Sequence, residues 1–581
     1  MILQALTRYY EALLKAGEIA PRYFVKTGVS FGLQLREDGS LSEIVPLKIS
    51  VERGKKTVEV PQPKQVPEQF VKAGTKPPSN FLCDNAAFLM GLDTRGKPEQ
   101  ARQYFETAKA FHLSILERDK GSEAGIIRSY FETWHPERAS ELEIAPQYYD
   151  DLAKGAQLIF ILPDGRFAQD ISSIQIAWIE YKKSTQSENC MQCLVTGEKE
   201  MPICSVHPKI KGVRGGQMAG TSLVSFHAPA YWSYGHDNAP VSEYAAFAYT
   251  SALNHLIADF EHRMPLDGDT LVCWAEDGEV KYQDTFMECV NPRYNMENEV
   301  SQTLRHIVKC GAVDIEALDV DTPFYVLCLS PNAARVSVRF FLRDSFGNIA
   351  DNLAEHYRRL EIAMGPKEKE YLAPYWMLKE TVPPGSKDDA SSPLLAGATM
   401  RAILSGGDYP AALYENILLR IRADRNVNRA RAATIKAYLT KNVLHSHPEY
   451  KEVIQVALNE QSELKPYVLG RLFSLLEQAQ ESANPGIKAT ITDRYFDSAC
   501  ATPKLAFPTL LKLNRHHLAK DEKWGRRYER QIGELVDKLN ADDDPYPARM
   551  TLEEQGVFIL GYYHQKQARY TKKSESEKEN A

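Results

Sequence analysis

Long apolar runs are missing from this chain of 581 residues. No stretch approaches the roughly 18–20 uninterrupted apolar residues that a membrane-spanning helix needs, so a helical membrane protein is excluded and a soluble one expected. The first sixteen residues place Ile2, Leu3, Leu6, Tyr9, Tyr10, Leu13 and Leu14 at helical spacing, but Arg8, Glu11 and Lys15 interrupt them. That pattern describes a packed amphipathic helix and not a signal peptide. Cysteine is scarce too, with nine residues and no short disulfide-dense module. A disulfide-stapled secreted domain is therefore excluded, and a reducing compartment, the cytoplasm, is expected. A large excess of one charge is also lacking. The formal net charge of −7 argues against a protein that coats nucleic acid over its whole surface, so any basic site has to be local.

Catalytic signatures are absent as well. The sequence has no Gly-x4-Gly-Lys-Ser/Thr phosphate loop, no Gly-x-Ser-x-Gly elbow, no His-Glu-x-x-His helix and no kinase set. His516, His517 and His564 have no acidic partner at a telling spacing. The expectation is a non-enzymatic chain with no catalytic residues and no required cofactor.

What is present is ordinary globular material, 43% hydrophobic and 25% charged. Val29, Phe31, Leu33 and Leu35 alternate with smaller residues, turn at Glu37 to Ser40, and continue in Leu41 to Leu47, which reads as a β-hairpin. Further strand-like runs cover Leu158 to Leu162, Leu271 to Ala275 and Phe324 to Leu329. Ser242 is a good N-cap for an apolar-striped helix reaching Arg263. Residues 1–365 therefore read as a mixed α+β region. Prolines at 366, 374, 383, 384 and 393, with several charges, make 366–392 a linker. From 393 to 570 strand signals fade and helical stripes follow one another, which reads as an all-α bundle domain. Residues 571–581 are polar and charged and read as a disordered tail.

Three kinds of residue cluster carry possible chemistry. Cys190, Cys193, Cys204 and His207 form a C-x2-C-x10-C-x2-H pattern with the ligand types of a structural zinc knuckle; the same residues also read as a plain β-turn region with reduced thiols. Directly after it, Lys209, Lys211, Arg214 and Gln217 alternate with glycines, a composition that lets backbone approach phosphate while cations attract it. The aromatics Tyr231, Trp232 and Tyr234 follow. A second candidate loop carries Lys72, Gly74, Thr75, Lys76 and Asn80, whose donors suit phosphates or base edges; a plain surface turn is its alternative. Finally, Glu415 to Lys441 has seven Lys or Arg against two acids, and Lys504 to Arg530 eight against three, so each stretch is locally about +5. Arg420, Arg422, Arg425, Arg429, Lys520, Arg526, Arg527 and Arg530, with Trp524 and Tyr528 nearby, suit single-stranded nucleic acid or a partner's acidic face.

Several segments together resemble the large subunit of type I-C CRISPR surveillance (Cascade) complexes. They are Met1 to Leu6 with Tyr9 and Tyr10, Asn80 to Asn85 (NFLCDN), Cys193 to Glu198 (CLVTGE), His207 to Arg214 (HPKIKGVR), Ser242 to Tyr249 (SEYAAFAY), Leu329 to Arg335 (LSPNAAR) and Gly556 to Gln565 (GVFILGYYHQ). The resemblance runs in order along nearly the whole chain; Cys190 departs from the family pattern. It implies a subunit without a catalytic site, placed at the 5′-handle end of a CRISPR RNA, that recognises the protospacer-adjacent motif of double-stranded target DNA. It further implies help with unwinding, R-loop stabilisation and recruitment of a helicase-nuclease, alongside backbone, handle-binding and small subunits. Its C-terminal helices resemble the small subunit, which such genes also make from an internal start. A metal-dependent nuclease and a scaffold without DNA contact are the competing readings.

Overall fold

The computed structural model describes residues 1–579 apart from 54–55, 71, 73–76, 94–95, 142–145, 227–236, 238, 291–299, 311–317, 366–367, 387–389 and 541–543. It has an N-terminal region of sheets and helices followed by a mostly helical C-terminal region. Two units divide the chain: Met1–Pro208 with Val224–His255, and Lys209–Leu223 with Leu256–Ala581. Among the described residues no helix is long and apolar enough to cross a membrane.

The first unit opens with helix α1 (Ile2–Lys15), which buries Leu6, Tyr9, Tyr10 and Leu13 as its spacing predicts. Strands β1 (Phe24–Val29), β2 (Phe31–Leu35), β3 (Leu41–Pro46), β4 (Lys48–Arg53), β5 (Lys56–Pro67) and β6 (Cys83–Asn85) follow. Then come α2 (Ala86–Leu89), α3 (Pro98–Leu116), α4 (Ser122–Thr133), α5 (Pro146–Ala153), β7 (Gln157–Ile161), α6 (Ser172–Ser184), the short strands β8 (Cys190–Met191) and β9 (Met201–Pro202), and α7 (Glu243–Ala258). The expected hairpin is β2 with β3, its turn closed by the Asp38 carboxylate accepting the Ser40 N–H at 2.9 Å. Strand order in that sheet is β3-β2-β7-β6, with β2 and β7 parallel. Phe31, Leu33, Leu35, Leu158 and Phe160 from its strands bury against Phe105, Phe131 and Trp178 of the helices.

The second sheet has the order β1-β5-β4. Its middle strand escapes a sequence reading because prolines stand at 61, 63 and 67. The two halves of β5 pair separately: Lys56–Pro61 with β4, and Gln62–Pro67 with β1. Each half therefore behaves as an edge toward its unpartnered side, the one setting in which proline is tolerated in a ladder.

The second unit begins with β10 (Arg263–Leu266) and β11 (Asp269–Ala275), continues through α8 (Val280–Val290) and α9 (Val300–Cys310), and returns as β12 (Pro323–Asn332) and β13 (Arg335–Ser345). These strands form an antiparallel meander in chain order. The helices are α10 (Phe346–Leu360), α11 (Pro374–Lys379), α12 (Pro393–Ser405), α13 (Ala411–Asp424), α14 (Arg429–Tyr438), α15 (Lys465–Ala483), α16 (Ile491–Ala501), α17 (Pro503–Lys520), α18 (Gly525–Asn540) and α19 (Leu552–Glu579). One apolar core runs from Met264 and Phe324 of the sheet through Met400 and Leu413 to Phe473 and Tyr563 of the helices. This grouping differs from a sequence boundary at 365–393, because sheet and bundle share that core. The segment read as a linker carries α11, with Pro374 in its first turn and Met377 and Leu378 buried. The polar tail continues α19 as far as Glu579, in keeping with the helix-forming Lys and Glu it is made of.

Helices α15 and α19 approach closely because glycines face each other's backbone. A Cβ on Gly470 would collide with the Phe558 carbonyl, and one on Gly561 with that of Tyr467. Any larger residue would force the pair apart.

Candidate nucleic-acid interface

The basic segment after His207 folds as a closed loop. Ile210 and Thr221 exchange N–H···O bonds of 2.8 Å in both directions, and Ser222 pairs with the β12–β13 turn through bonds of 3.0 Å to Ala334 and Val336. Arg214 donates its N–H to Thr270 Oγ1 at 3.1 Å. Gly220 at φ +92° lets the strands of the loop meet, since a Cβ there would lie 2.8 Å from Lys209 Cβ. The base is therefore fixed while the tip is wet. Lys209, Lys211, Arg214 and Gln217 are all exposed, with the Lys209 ammonium 2.6 Å from Ser222 Oγ, and Met218 projects fully into solvent.

The other candidate loop looks inward where it is described. Asp84 is buried, and its carboxylate accepts from Lys72 Nζ at 2.6 Å and from the Asn80 N–H at 2.8 Å. Lys72 also bonds the Pro78 carbonyl and lies 3.4 Å from the Phe88 ring centroid. The Asn80 side chain accepts from the Phe70 N–H at 2.8 Å and donates to Gln69 at 2.6 Å. Asn80 is thus a buried loop anchor instead of a base reader, and Lys72 neutralises a buried acid. Gly74, Thr75 and Lys76, like Tyr231, Trp232 and Tyr234, lie outside the described residues.

The two basic stretches part company. On α13 and α14, Arg420 pairs with Asp424, Arg422 with Gln555 and Arg425 with Asp497. Arg429 is buried and donates to the carbonyls of Lys369 and Glu370. Lys436 is buried against the Arg359 carbonyl, and that burial pulls its pKa down to about 8. Cations expected to follow a displaced strand here are engaged inside the fold. On α17 and α18 the reverse holds. Lys512, Arg515, Arg526, Arg527 and Arg530 are exposed, while Phe507, Leu510, Ile532, Leu535 and Leu539 face the core. The turn between these helices presents Trp524, 41% exposed, with Lys523 Nζ 5.4 Å and the Arg527 guanidinium 5.5 Å from its ring centroid. Lys520 is held by Asn484 at 2.6 Å, and Arg530 lies 3.7 Å from Glu534.

A family model described as CRISPR-associated protein (Cas_Csd1) matches residues 6–570. The chain belongs to the Cas_Csd1 family. A search among curated proteins finds no match. In this Cas_Csd1 chain the four expected zinc ligands turn to separate partners. Cys190 is exposed on β8 opposite Pro202, and Cys204 Sγ donates to the Val206 carbonyl at 3.2 Å. Cys193 Sγ accepts the N–H groups of Ser242 at 3.2 Å and Thr196 at 3.5 Å; burial raises its pKa, but these bonds outweigh burial and lower it. His207 is buried with Nδ1 2.7 Å from the Tyr249 hydroxyl, and burial pushes its pKa down to about 4. Among the described residues no group of three or more His, Cys, Asp or Glu side chains is disposed to hold a metal. His564 is a core histidine bonded to Tyr467 at 3.0 Å, with burial pressing its pKa to about 3. His517 contacts Asn484 at 3.4 Å.

Proposed function

We propose that this CRISPR-associated chain is the large, catalytically silent subunit of a type I-C surveillance complex. It grips the duplex that carries the protospacer-adjacent motif, helps open it, and guides the displaced strand. The observation that supports this reading best is the 209–223 loop, whose backbone is closed and anchored while Lys209, Lys211, Arg214 and Gln217 are exposed. A fixed backbone with exposed cations and an amide is the arrangement that protein–DNA contacts use: cations attract phosphate and the amide or guanidinium reads base edges. In RNA-guided recognition base pairing reads the target, and the protein reads only the short motif. The partners in this reading are CRISPR RNA, target DNA, the backbone, handle-binding and small subunits, and the helicase-nuclease, all in the cytoplasm. No metal or other cofactor is required.

The test is target binding by the assembled complex carrying alanine at Lys211, Arg214 and Gln217. Removing a base-reading side chain costs about 1–3 kcal/mol and relaxes motif preference, whereas removing a phosphate-binding one weakens all sequences alike. Unchanged affinity and motif preference in the triple variant would overturn the proposal. So would ATP hydrolysis or DNA cleavage by the purified chain that a single substitution within it abolishes.

A further inference from the structure

The shape of the 209–223 loop depends on a residue outside it. Arg263, at the start of β10, donates from Nη1 to the carbonyls of Gly212 at 3.3 Å and Ile257 at 3.0 Å. The same guanidinium lies 4.4 Å from the centroid of the Phe260 ring. That ring stands in the turn between α7 and β10 and is 76% exposed. The turn beneath it is tied down: His262 bonds Asp259 through Nδ1 at 2.6 Å and Asp284 of α8 through Nε2 at 2.7 Å. Asp259 also accepts the Glu261 N–H at 2.9 Å. A large apolar ring is thus kept in water and in one orientation, by a cation that holds the basic loop at the same time.

We infer that Phe260 is a stacking platform for an unpaired nucleobase at the edge of the duplex that this loop grips. The inference rests on the nucleic-acid reading of the loop given above. The guanidinium covers one face of the ring and leaves the remainder open, and a base of any identity can lie on an open π face. The charges around it sort base from phosphate. Glu261 is exposed beside the ring and disfavours a phosphate there, while Lys211 and Arg214, on either side of Gly212 in the loop, attract the backbone. Arg263 is a positioning residue, joining ring to loop. No sequence pattern points to Phe260: the helix expected to reach Arg263 would include it as one more apolar position, whereas α7 ends at Ala258 and leaves it in the turn before β10.

The test uses the full-length chain, alone and in the complex assembled on guide RNA, with a forked duplex carrying 2-aminopurine at the first unpaired position. The parent should quench the 2-aminopurine emission. Phe260→Ala should leave it bright and weaken binding of the forked DNA about 5- to 100-fold, the range expected for one base stack. Binding of the fully paired duplex should not change. Phe260→Trp should restore the quenching, and Arg263→Ala should reduce it. Equal quenching and affinity in Phe260→Ala overturn the inference. Equal weakening of fork and blunt duplex also overturns it, as does loss of complex assembly with quenching intact, which would make the ring a protein-docking element. If the parent binds no DNA of any form, the functional reading itself falls and takes the inference with it; failure confined to the Phe260 variants leaves that reading standing.

Discussion

Tyr562 of α19 donates a 2.6 Å hydrogen bond to Glu477 of α15, a buried carboxylate that also accepts from Thr490 at 2.7 Å and Thr492 at 2.6 Å. Three segments of the C-terminal helices thus converge on one acid. Tyr562→Phe removes a donor without changing volume, and a hydrogen bond to a charged group is worth about 1.5–3 kcal/mol. The variant should unfold at lower temperature and exchange the amides of α15 and α19 faster. Parent-like exchange would remove Glu477 as the organising group.

His262 should make stability depend on pH. Burial disfavours its charged form, but hydrogen bonds to Asp259 and Asp284 outweigh burial and raise its pKa above the ordinary histidine value. A raised folded-state value means that its contribution is complete below about pH 6.5 and fades as pH rises through the higher value. Urea denaturation across that range should show the gap between parent and His262→Gln narrowing as pH rises. A gap that widens would contradict the assignment.

Arg431 and Arg530 both sit in basic helical stretches, yet their loss should be felt in different assays. Arg431 is buried and bonds Glu380 and Asp424 at 2.6 Å each. Arg431→Met takes an ion-pair partner from two carboxylates, leaving Asp424 with Arg420 and Glu380 with Asn428, and should cost about 1–3 kcal/mol of stability. Arg530→Met, on an exposed face, should change stability by less than about 0.5 kcal/mol. Denaturation curves compare the two directly.

That contrast shows where the sequence is legible and where it is not. The β2–β3 hairpin, β7, β11, β12 and the N-capped α7 follow from alternation, turn residues and capping, which are local. Counting charge gives α13–α14 and α17–α18 the same excess of about +5. Their difference lies in partners far along the chain, such as Glu380 and Lys369 for the first stretch, and no local pattern reports those. Asn80 is hard to read for the same reason: its donors suit a base edge, but Gln69, Phe70 and Asp84 claim its polar groups. Prolines mislead twice, at β5, where they sit on unpartnered edges, and at 374, where proline opens a helix.

The exposed α17–α18 face should govern single-strand binding. Glutamate at Arg526, Arg527 and Arg530 should weaken it and lower the slope of log affinity against log salt by about one for each phosphate no longer neutralised. Trp524→Ala should cost about 1–3 kcal/mol if its ring stacks a base. Motif preference on duplex DNA should stay as in the parent. Titrations at two or more salt concentrations decide the matter, and an unchanged slope would argue for a protein partner on this face.

The prolines of β5 also bear on how crowded copies of this chain behave. A strand whose two halves each leave one side unpaired is an inviting template on which a neighbouring molecule could zip up a ladder of its own. Pro61, Pro63 and Pro67 carry no N–H, so such a ladder would be interrupted at Pro61 along one half and at Pro63 and Pro67 along the other. Replacing them with threonine would suit the strand itself better, and would remove the guard against aggregation.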